Sequence, residues 1–431
     1  MVEILGVIPR IIPETRDGGV LEAGEEPHRS LDPGQLRRVL NFLGRDGPPK
    51  AATPTLRIGI LGASQARGAC RGGGGGGWGV ATYAMIWPAR RLPGVQVVGV
   101  AARDADRAEA YARQHGLSRS YPSYAALVED PGLDAVYVAL PNGLHGQWAA
   151  AALLAGKHVL CEKPFAANAD EARRVMAIAS ARGLLCREAF HNAEHPANKH
   201  VAALLQGGAI GDLLSLSARV LIPGWAFKED DIRFKETLAG GSMMDAGCYC
   251  AAALRFFPGL QPTAVTSASA KGILGGCDTG MEARLAYGGP GGGPGQLVGR
   301  LEADLRHEGL LPVTLFTAEG TRGRLSYENF VVPFFGHTIT VSGPPPEAGA
   351  PPAGRTVAVH GSGESNYYYQ LSRFAGDAAA LLGRGAGGRT ESEVRAAMAV
   401  DASDALANAE LVEAIYGAAG LRQRQPTNTW W

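Results

Sequence analysis

The sequence predicts an α/β protein with two domains, the first built on a parallel sheet and the second on a large, mostly antiparallel open sheet. The chain has 431 residues, which is more than one ordinary domain needs. From residue 56, short apolar runs alternate with amphipathic helical patterns. From residue 213 the predicted strands become longer and follow one another with few helices between them. Together these observations predict the two-domain α/β fold.

Four apolar runs mark strands of the parallel sheet: LRIGIL (56–61), VQVVGV (95–100), DAVYVAL (134–140) and KHVLC (157–161). Helical patterns follow at 104–116, 123–129, 144–156 and 168–183. Parallel sheets with helices on both faces bind ligands at the carboxyl ends of their strands. Residues 56–180 are therefore predicted to form a Rossmann dinucleotide-binding domain.

Residues 181–431 are predicted to form the second domain. Its strand patterns are LLSLSARVLI, TAVTSASAKGI, EARLAY, GQLVGRLEADL, PVTLFTAEG and GRLSYEN. One helix, at 243–257, interrupts these strands, and two more are predicted at 367–382 and 391–418. Residues 1–55 are rich in Gly, Pro and charge, with one helical pattern at 32–43, and are interpreted as a partly ordered extension.

The composition excludes several classes of partner. The chain has 41 basic and 41 acidic residues, so no net field favours nucleic acid or an anionic membrane. It contains no apolar run long enough for a transmembrane helix, and its first residues do not resemble a secretory or transit leader. The six cysteines show no metal-type spacing. Free thiols in a reducing compartment, and hence the cytoplasm, are the expectation.

The predicted phosphate turn is Gly62-Ala63-Ser64, at the end of the first strand. A small-residue turn before a helix lets backbone N–H groups approach a pyrophosphate. Residues 66–79, ARGACRGGGGGGWG, separate this turn from the helical pattern at 80–88. Either the polyglycine itself cradles phosphate, or it is a low-complexity insertion in an ordinary turn. Removal of the segment restores a strand–turn–helix unit, which favours the insertion.

The end of the second strand reads Ala101-Ala102-Arg103-Asp104. A site for NAD usually has a carboxylate at this place to bind the ribose hydroxyls. Arg103 is the first charged residue here, and a guanidinium suits the 2′-phosphate of NADP. NADP is therefore favoured over NAD, although Asp104 remains an alternative ribose ligand.

Two more strand ends carry candidate residues. The stretch from Leu140 to His145, which includes Asn142, follows DAVYVAL and would lie beside the nicotinamide. Glu162 and Lys163 end the strand KHVLC on the same edge of the sheet, so the lysine is expected to point into the crevice.

A third candidate group lies in the second domain. Asp245 and Tyr249 are four residues apart at the start of the predicted helix, so their side chains share one face. A carboxylate and a phenol near a lysine can relay a proton to or from a hydroxyl substrate.

These residues resemble the glucose–fructose oxidoreductase / inositol dehydrogenase family of NAD(P)-dependent enzymes, and within it the dihydrodiol and NADP-dependent D-xylose dehydrogenases. The resemblance runs from about residue 56 to the C-terminus, apart from the insertion. The stretches that carry it are PARRLPGVQVVGVAARD, HVLCEKPFA, EAFH and DDIRFKETLAGGSMMDAGCY.

The resemblance implies roles for these residues. Lys163 is the catalytic lysine that contacts the nicotinamide ribose and the substrate, Tyr249 the acid/base tyrosine and Asp245 the acid on its helix. His191 and Arg233 are expected to contact the substrate, and the peptide before Pro164 to be cis. Lys163 would lower the pKa of the phenol, which then takes the proton of a sugar, polyol or trans-diol while hydride passes to NADP.

The resemblance also implies that the second domain binds the substrate and carries the contacts of a homodimer or a higher homo-oligomer. After EAFH, relatives have an aromatic residue and an arginine before His-Pro, whereas this chain reads Asn192-Ala193-Glu194-His195-Pro196. Proteins of this fold also include dinucleotide sensors without catalysis. A sensor does not need Lys163, Asp245 and Tyr249 together, so an enzyme is the favoured hypothesis.

Overall fold

The computed structural model describes residues 53–63, 65–66, 77–288, 297–343, 354–385 and 388–430. Several sequence predictions lie outside the described residues. These are most of the N-terminal extension with its helix at 32–43, Ser64 of the phosphate turn, and the core of the insertion at 67–76.

Strands and helices are numbered along the described chain. The strands are β1 (Leu56–Leu61), β2 (Gln65–Ala66), β3 (Gly77–Trp78), β4 (Val95–Ala101), β5 (Arg119–Tyr121), β6 (Ala135–Val138), β7 (His158–Glu162), β8 (Cys186–Ala189), β9 (Leu213–Pro223), β10 (Ala264–Leu274), β11 (Cys277–Ala286), β12 (Val298–His307), β13 (Val313–Gly320), β14 (Gly323–Glu328), β15 (Thr338–Ser342) and β16 (Gly354–Val357). The α-helices are α1 (Trp87–Arg91), α2 (Ala105–His115), α3 (Tyr124–Val128), α4 (His145–Leu154), α5 (Ala169–Arg182), α6 (Pro196–Gln206), α7 (Cys248–Phe256), α8 (Asn366–Leu381) and α9 (Glu391–Ala418).

The first sheet is parallel and has six strands in the order β5-β4-β1-β6-β7-β8. Strands β6 and β7 are buried along their whole length, as expected for central strands covered by helices on both faces. The order reverses between β1 and β6, and this switch point opens a crevice at the carboxyl ends of the strands. The predicted Rossmann sheet is confirmed.

The predicted domain boundary at 180/181 needs correction. Strand β8 is the edge strand of the parallel sheet, so this sheet extends beyond residue 180. Helix α8 also belongs with it, because Tyr367, Leu371 and Phe374 pack in the same apolar cluster as β1. The long α9 joins the two cores, since Ala405 packs with the first sheet and Ile415 with the second.

The second sheet has eight strands in the order β10-β11-β12-β9-β13-β14-β15-β16. All neighbours are antiparallel except β9 and β12, which are parallel. Along β12 and β13 the burial of side chains alternates, so one face packs in the core and the other is more open. The predicted mostly antiparallel open sheet is confirmed.

Two helices that border the crevice begin with a π-helical turn. Thr82–Ile86 precedes α1 after the first strand, and Met243–Gly247 precedes α7. Such turns are rare and occur frequently at functional sites. The insertion before the first of them is closed at its base, where β2 pairs antiparallel with β3.

Candidate active site

Lys163 directly follows β7, at the carboxyl edge of the parallel sheet. Its ammonium donates to Asp245 twice, to Oδ1 at 3.0 Å and to the main-chain oxygen at 2.9 Å. Asp245 lies in the π-helical turn before α7, in the second domain. The expected cis peptide between Lys163 and Pro164 is present. The contact between Lys163 and Asp245 therefore joins the two domains across the crevice.

Asp245 is held by a second cation. Arg233 donates from Nε to the other carboxylate oxygen at 2.9 Å, and its guanidinium lies 4.1 Å from the centre of the Phe227 ring. Burial raises the pKa of Asp245, but Arg233 and Lys163 outweigh burial and bring the pKa well below its usual range. Asp245 is thus held as an anion against Lys163, and its predicted catalytic role stays a prediction.

The same carboxylate acts on Lys163. Burial lowers the pKa of the Lys163 ammonium, and the negative charge of Asp245 more than offsets this, so the pKa is raised. The ammonium remains charged at neutral pH. It lies 4.9 Å from the centre of the Tyr249 ring.

Tyr249 is in the first turn of α7 and is buried. Its hydroxyl forms a 2.8 Å hydrogen bond with Nε2 of His191. Burial raises the pKa of the Tyr249 phenol well above its usual value of 10. In this geometry the phenol is protonated, so the expected lowering of its pKa by Lys163 does not hold here. A protonated phenol is a proton donor.

His191 lies in the turn after β8 and is only 2% exposed. Its ring packs against the Tyr367 ring with 4.4 Å between centroids. Burial, assisted by the charge of Lys163, lowers the pKa of His191 to about 3, so the ring is neutral at working pH. The structure therefore places its polar edge on Tyr249, whereas the sequence analysis expected a contact with substrate.

Two carboxyl groups, one buried and one half-buried, support the loop that carries Lys163. Glu162 accepts from the hydroxyl of Tyr137 at 2.5 Å, and burial raises its pKa. Glu188 on β8 accepts from the main-chain N–H of Phe165 at 2.8 Å, and burial raises its pKa to about 8. The sequence analysis missed Tyr137 and Glu188 as supporting residues, because their partners, Glu162 and Phe165, lie more than 20 residues away in the chain.

The phosphate turn requires glycine at Gly62. Its φ is +112°, and a Cβ there would lie 2.3 Å from the main-chain oxygen of Ala139. The N–H of Gly62 donates to the oxygen of Ala101 at 2.9 Å, so the turn is fixed where β1, β4 and β6 end together. Ala63 follows and is buried. A backbone approach of this kind suits a pyrophosphate.

The end of β4 fits a 2′-phosphate better than a ribose diol. Arg103 is exposed there, and Asp104 uses its carboxylate to cap α2 by accepting from the N–H groups of Asp106 and Arg107. Arg107 also donates to the oxygen of Ala63 at 2.9 Å, which brings a second guanidinium beside the phosphate turn. The sequence analysis missed Arg107, which lies in the first turn of α2, just after the strand end that carries Arg103.

The residues predicted beside the nicotinamide have mainly structural contacts. Asn142 donates to the oxygen of Ala239, across the domain boundary, at 3.0 Å. His145 is buried, and its two ring nitrogens lie 2.7 Å from the main-chain oxygens of Leu140 and Pro164. The amide N–H of Asn142 and the ring of His145 therefore help to shape the crevice, and their contact with a cofactor stays a prediction.

The described residues contain neither a membrane-spanning helix nor a cluster of metal ligands. No helix there is long and apolar enough to cross a membrane. Within the same residues, no group of three or more His, Cys, Asp or Glu side chains has the arrangement of a metal site. The five cysteines in the described part of the chain are buried free thiols.

Comparisons with known proteins extend these observations. A family model described as "Oxidoreductase family, NAD-binding Rossmann fold" matches residues 74–190, and the "GFO/IDH/MocA C-terminal domain" matches residues 198–326. A D-xylose 1-dehydrogenase (NADP(+)) of Haloferax volcanii is 40% identical over 47% of this chain and 61% of its own length. A trans-1,2-dihydrobenzene-1,2-diol dehydrogenase of Xenopus tropicalis is 36% identical over 46% of this chain and 60% of its own.

Among solved structures, a 3-ketoreductase from Actinomadura kijaniata, in complex with NADP and TDP-benzene, is similar with a TM-score of 0.67 and 25% identity. That match covers 85% of this chain and 98% of the other. The sequence alignments with the two dehydrogenases, in contrast, span only about 60% of the length of each of these relatives. The two matched models cover β4 to β8 of the first sheet and β9 to β13 of the second, together with Lys163, Asp245 and Tyr249. The chain therefore belongs to the GFO/IDH/MocA oxidoreductase family, as the sequence resemblance predicted.

Proposed function

We propose that this protein is an NADP-dependent oxidoreductase that interconverts a secondary or anomeric hydroxyl group and a carbonyl group. The substrate class is a sugar, polyol or trans-diol. The observation that carries the proposal is the position of Lys163, whose ammonium is bound to Asp245 and lies 4.9 Å from the ring of Tyr249. The names of the xylose and dihydrodiol dehydrogenases and of the 3-ketoreductase support this substrate class.

Tyr249 and Lys163 have different roles in the reaction: Tyr249 exchanges the proton, and Lys163 stabilises the negative charge. In the reductive direction the protonated phenol donates to the forming alkoxide, while the Lys163 ammonium stabilises its negative charge. In the oxidative direction the phenolate accepts the hydroxyl proton. Asp245 and Arg233 keep the ammonium in place through both directions.

The cofactor fits the crevice from the phosphate turn to Lys163. Gly62 and Ala63 would bind the pyrophosphate through main-chain N–H groups, and Arg103 with Arg107 would bind the 2′-phosphate. When bound, NADP supplies the hydride donor or acceptor. This arrangement favours NADP over NAD.

The test is a panel of pentoses, hexoses, inositols and trans-dihydrodiols, assayed with NADP and NAD side by side. Lys163→Met and Tyr249→Phe should abolish turnover and retain NADPH binding, measured by nicotinamide fluorescence. Lys271→Met is the matched control, because Lys271 lies on β10 with its ammonium bound to Glu302 of β12, outside the site. Wild-type turnover in either active-site variant would contradict the proposal. NADPH binding without turnover of any panel member would favour a sensor.

The oligomeric state and the cytoplasmic location stay predictions. Size-exclusion chromatography coupled to light scattering measures the molar mass of the assembly, and we expect the mass of a homodimer.

A further inference from the structure

His191 is the one group hydrogen-bonded to the hydroxyl of Tyr249 within the described residues, with Nε2 at 2.8 Å. The histidine is fixed by its surroundings. Its ring packs on Tyr367, and Tyr249 itself packs edge-on against Phe190, the residue before the histidine. Since ring and phenol are both buried, their relative position does not depend on a surface side chain.

The other nitrogen of His191 determines the tautomer. Nδ1 is buried and has no hydrogen-bond partner among the described residues. A neutral imidazole has one N–H and one acceptor nitrogen, and the described contacts satisfy only Nε2. Buried N–H groups without a partner are rarer than buried acceptors without one. The hydrogen is therefore on Nε2, directed at the oxygen of Tyr249, and Nδ1 is the unpaired acceptor.

We propose that His191 is a positioning residue that donates its Nε2–H to the Tyr249 oxygen, leaves the phenolic hydrogen free for a substrate oxygen, and stabilises the phenolate when that hydrogen has left. The inference rests on the proposed function, in which Tyr249 exchanges the proton. In reduction the phenolic O–H bond breaks, the proton goes to the substrate oxygen, and the phenolate keeps the electron pair. The hydride comes from NADPH, so atoms and charge balance, and His191 remains neutral throughout.

Several other groups affect the ionisation of the Tyr249 phenol. Lys163 faces the ring, and its charge stabilises a phenolate. The groups that disfavour a phenolate come from three segments: Tyr367 on α8, Glu162 at the end of β7, and Cys248 and Asp245 on α7 and its π-helical turn. The next histidine, His195, lies near His191 rather than Tyr249. Because these groups also affect the ionisation of Tyr249, the contribution of His191 has to be measured with variants in which only His191 is replaced.

The first experiment reads the tautomer directly. Histidine labelled with ¹⁵N is incorporated into the full chain, and two-bond ¹H–¹⁵N correlations are assigned by comparison with His191→Gln. The expected pattern is protonated Nε2 and unprotonated Nδ1 between pH 6 and 8. A hydrogen on Nδ1 would overturn the proposal. This measurement needs no turnover, so it decides the matter even if every substrate of the panel fails.

The second experiment uses pH profiles of kcat/KM for hydroxyl oxidation, with the best substrate of the panel and NADP. His191→Phe keeps an aromatic ring but loses the donor, so the rising limb should move to higher pH by about one to two units, the size of one hydrogen bond to a charged oxygen. His191→Gln retains an N–H near the position of Nε2 and should return the limb toward the wild type. His200→Gln, on α6, is the control and should leave the profile unchanged.

If His191 had only a structural role, its replacement would reduce the amount of active protein and would leave the rising limb of the pH profile at the same pH. NADPH binding by the His191→Phe protein shows that it is folded. An unmoved limb, or one that moves to lower pH, would contradict the proposal. Absence of turnover in the wild type would instead count against the proposed function, while the tautomer measurement still stands.

Discussion

Arg233 binds the carboxylate oxygen of Asp245 that Lys163 leaves free, with Nε 2.9 Å from Oδ2 while Lys163 is 3.0 Å from Oδ1. The carboxylate is thus shared between two cations, and its side chain is 22% exposed. Neither cation can move without changing the other's interaction. We therefore expect the position of the Lys163 ammonium to depend on Arg233, which is also bound to Asp231.

Replacement of Arg233 by Met should reduce kcat without preventing NADPH binding. Asp245 would keep one cationic partner and draw Lys163 toward the space that the guanidinium occupied. Loss of one hydrogen bond between charged groups corresponds to a decrease in kcat of about 10- to 100-fold. Arg306→Met is the control, because Arg306 also lies over an aromatic ring, that of Phe234. Equal loss of activity in both variants would contradict the specific role of Arg233.

Alanine at Arg103 and Arg107 should weaken binding of NADPH and leave binding of NADH nearly unchanged. The two guanidinium groups would bind the 2′-phosphate, which NADH lacks. Fluorescence titrations with both nucleotides measure the ratio of the two affinities, which should fall about 10- to 100-fold in the double variant. Arg113→Ala, further along α2, is the control. An equal loss for both nucleotides would instead indicate a disturbed phosphate turn.

Deletion of residues 67–76 should leave NADPH binding intact. Gln65–Ala66 pairs antiparallel with Gly77–Trp78, so the two ends of the segment are already adjacent. In the shortened protein, Asn-Gly takes the place of the deleted segment, because an Asn-Gly turn can join two such strands. Nucleotide fluorescence checks the shortened protein. Loss of binding would favour the other interpretation of the sequence, in which the polyglycine cradles phosphate.

The protein should lose stability as the pH falls from about 6.5 toward 4. Burial lowers the pKa of His158 to about 4, and its Nδ1 accepts from the N–H of Leu185 at 3.0 Å, so the folded state requires the neutral ring. The stability from this group is present above the unfolded pKa and is lost as the pH falls toward the folded pKa, by about 3 kcal/mol in total.

Urea unfolding at pH 7.5 and 5.0 measures this dependence. His158→Asn offers an amide oxygen to Leu185 but does not titrate, so its free energy of unfolding should change less between the two pH values. His191 and His195 also have pKa values lowered by burial and will contribute in both proteins. An identical pH dependence in wild type and variant would contradict the assignment.

Strand–helix alternation and strand ends could be predicted from the sequence, because each depends on residues close together in the chain. Strand β8 could not be predicted from the sequence, because Arg187 and Glu188 interrupt its apolar pattern. Arg187 is buried only because Asp377 and Asp401 bind it from α8 and α9. The pattern of a strand does not reveal a partner so far along the chain.

The same reason limits the prediction of the site. Lys163, Asp245 and Tyr249 could be selected from strand-end position and helical spacing, and the structure brings them together. The bond from His191 to Tyr249 joins residues on a turn and a helix of different domains, and no spacing indicates it. Asn142 and His145 lie at the predicted strand end, and no spacing in the sequence indicates that the Asn142 amide N–H and the His145 ring lie within hydrogen-bond distance of main-chain oxygens.

The packing of α8 on the parallel sheet has a consequence for the order of folding. Tyr367, Leu371 and Phe374 complete the apolar layer over β1, more than 300 residues after that strand in the chain. During synthesis the nucleotide-binding half emerges first, yet its layer stays incomplete until α8 has left the ribosome. We expect the first domain, when expressed alone, to expose this layer and to require the last helices for a closed core.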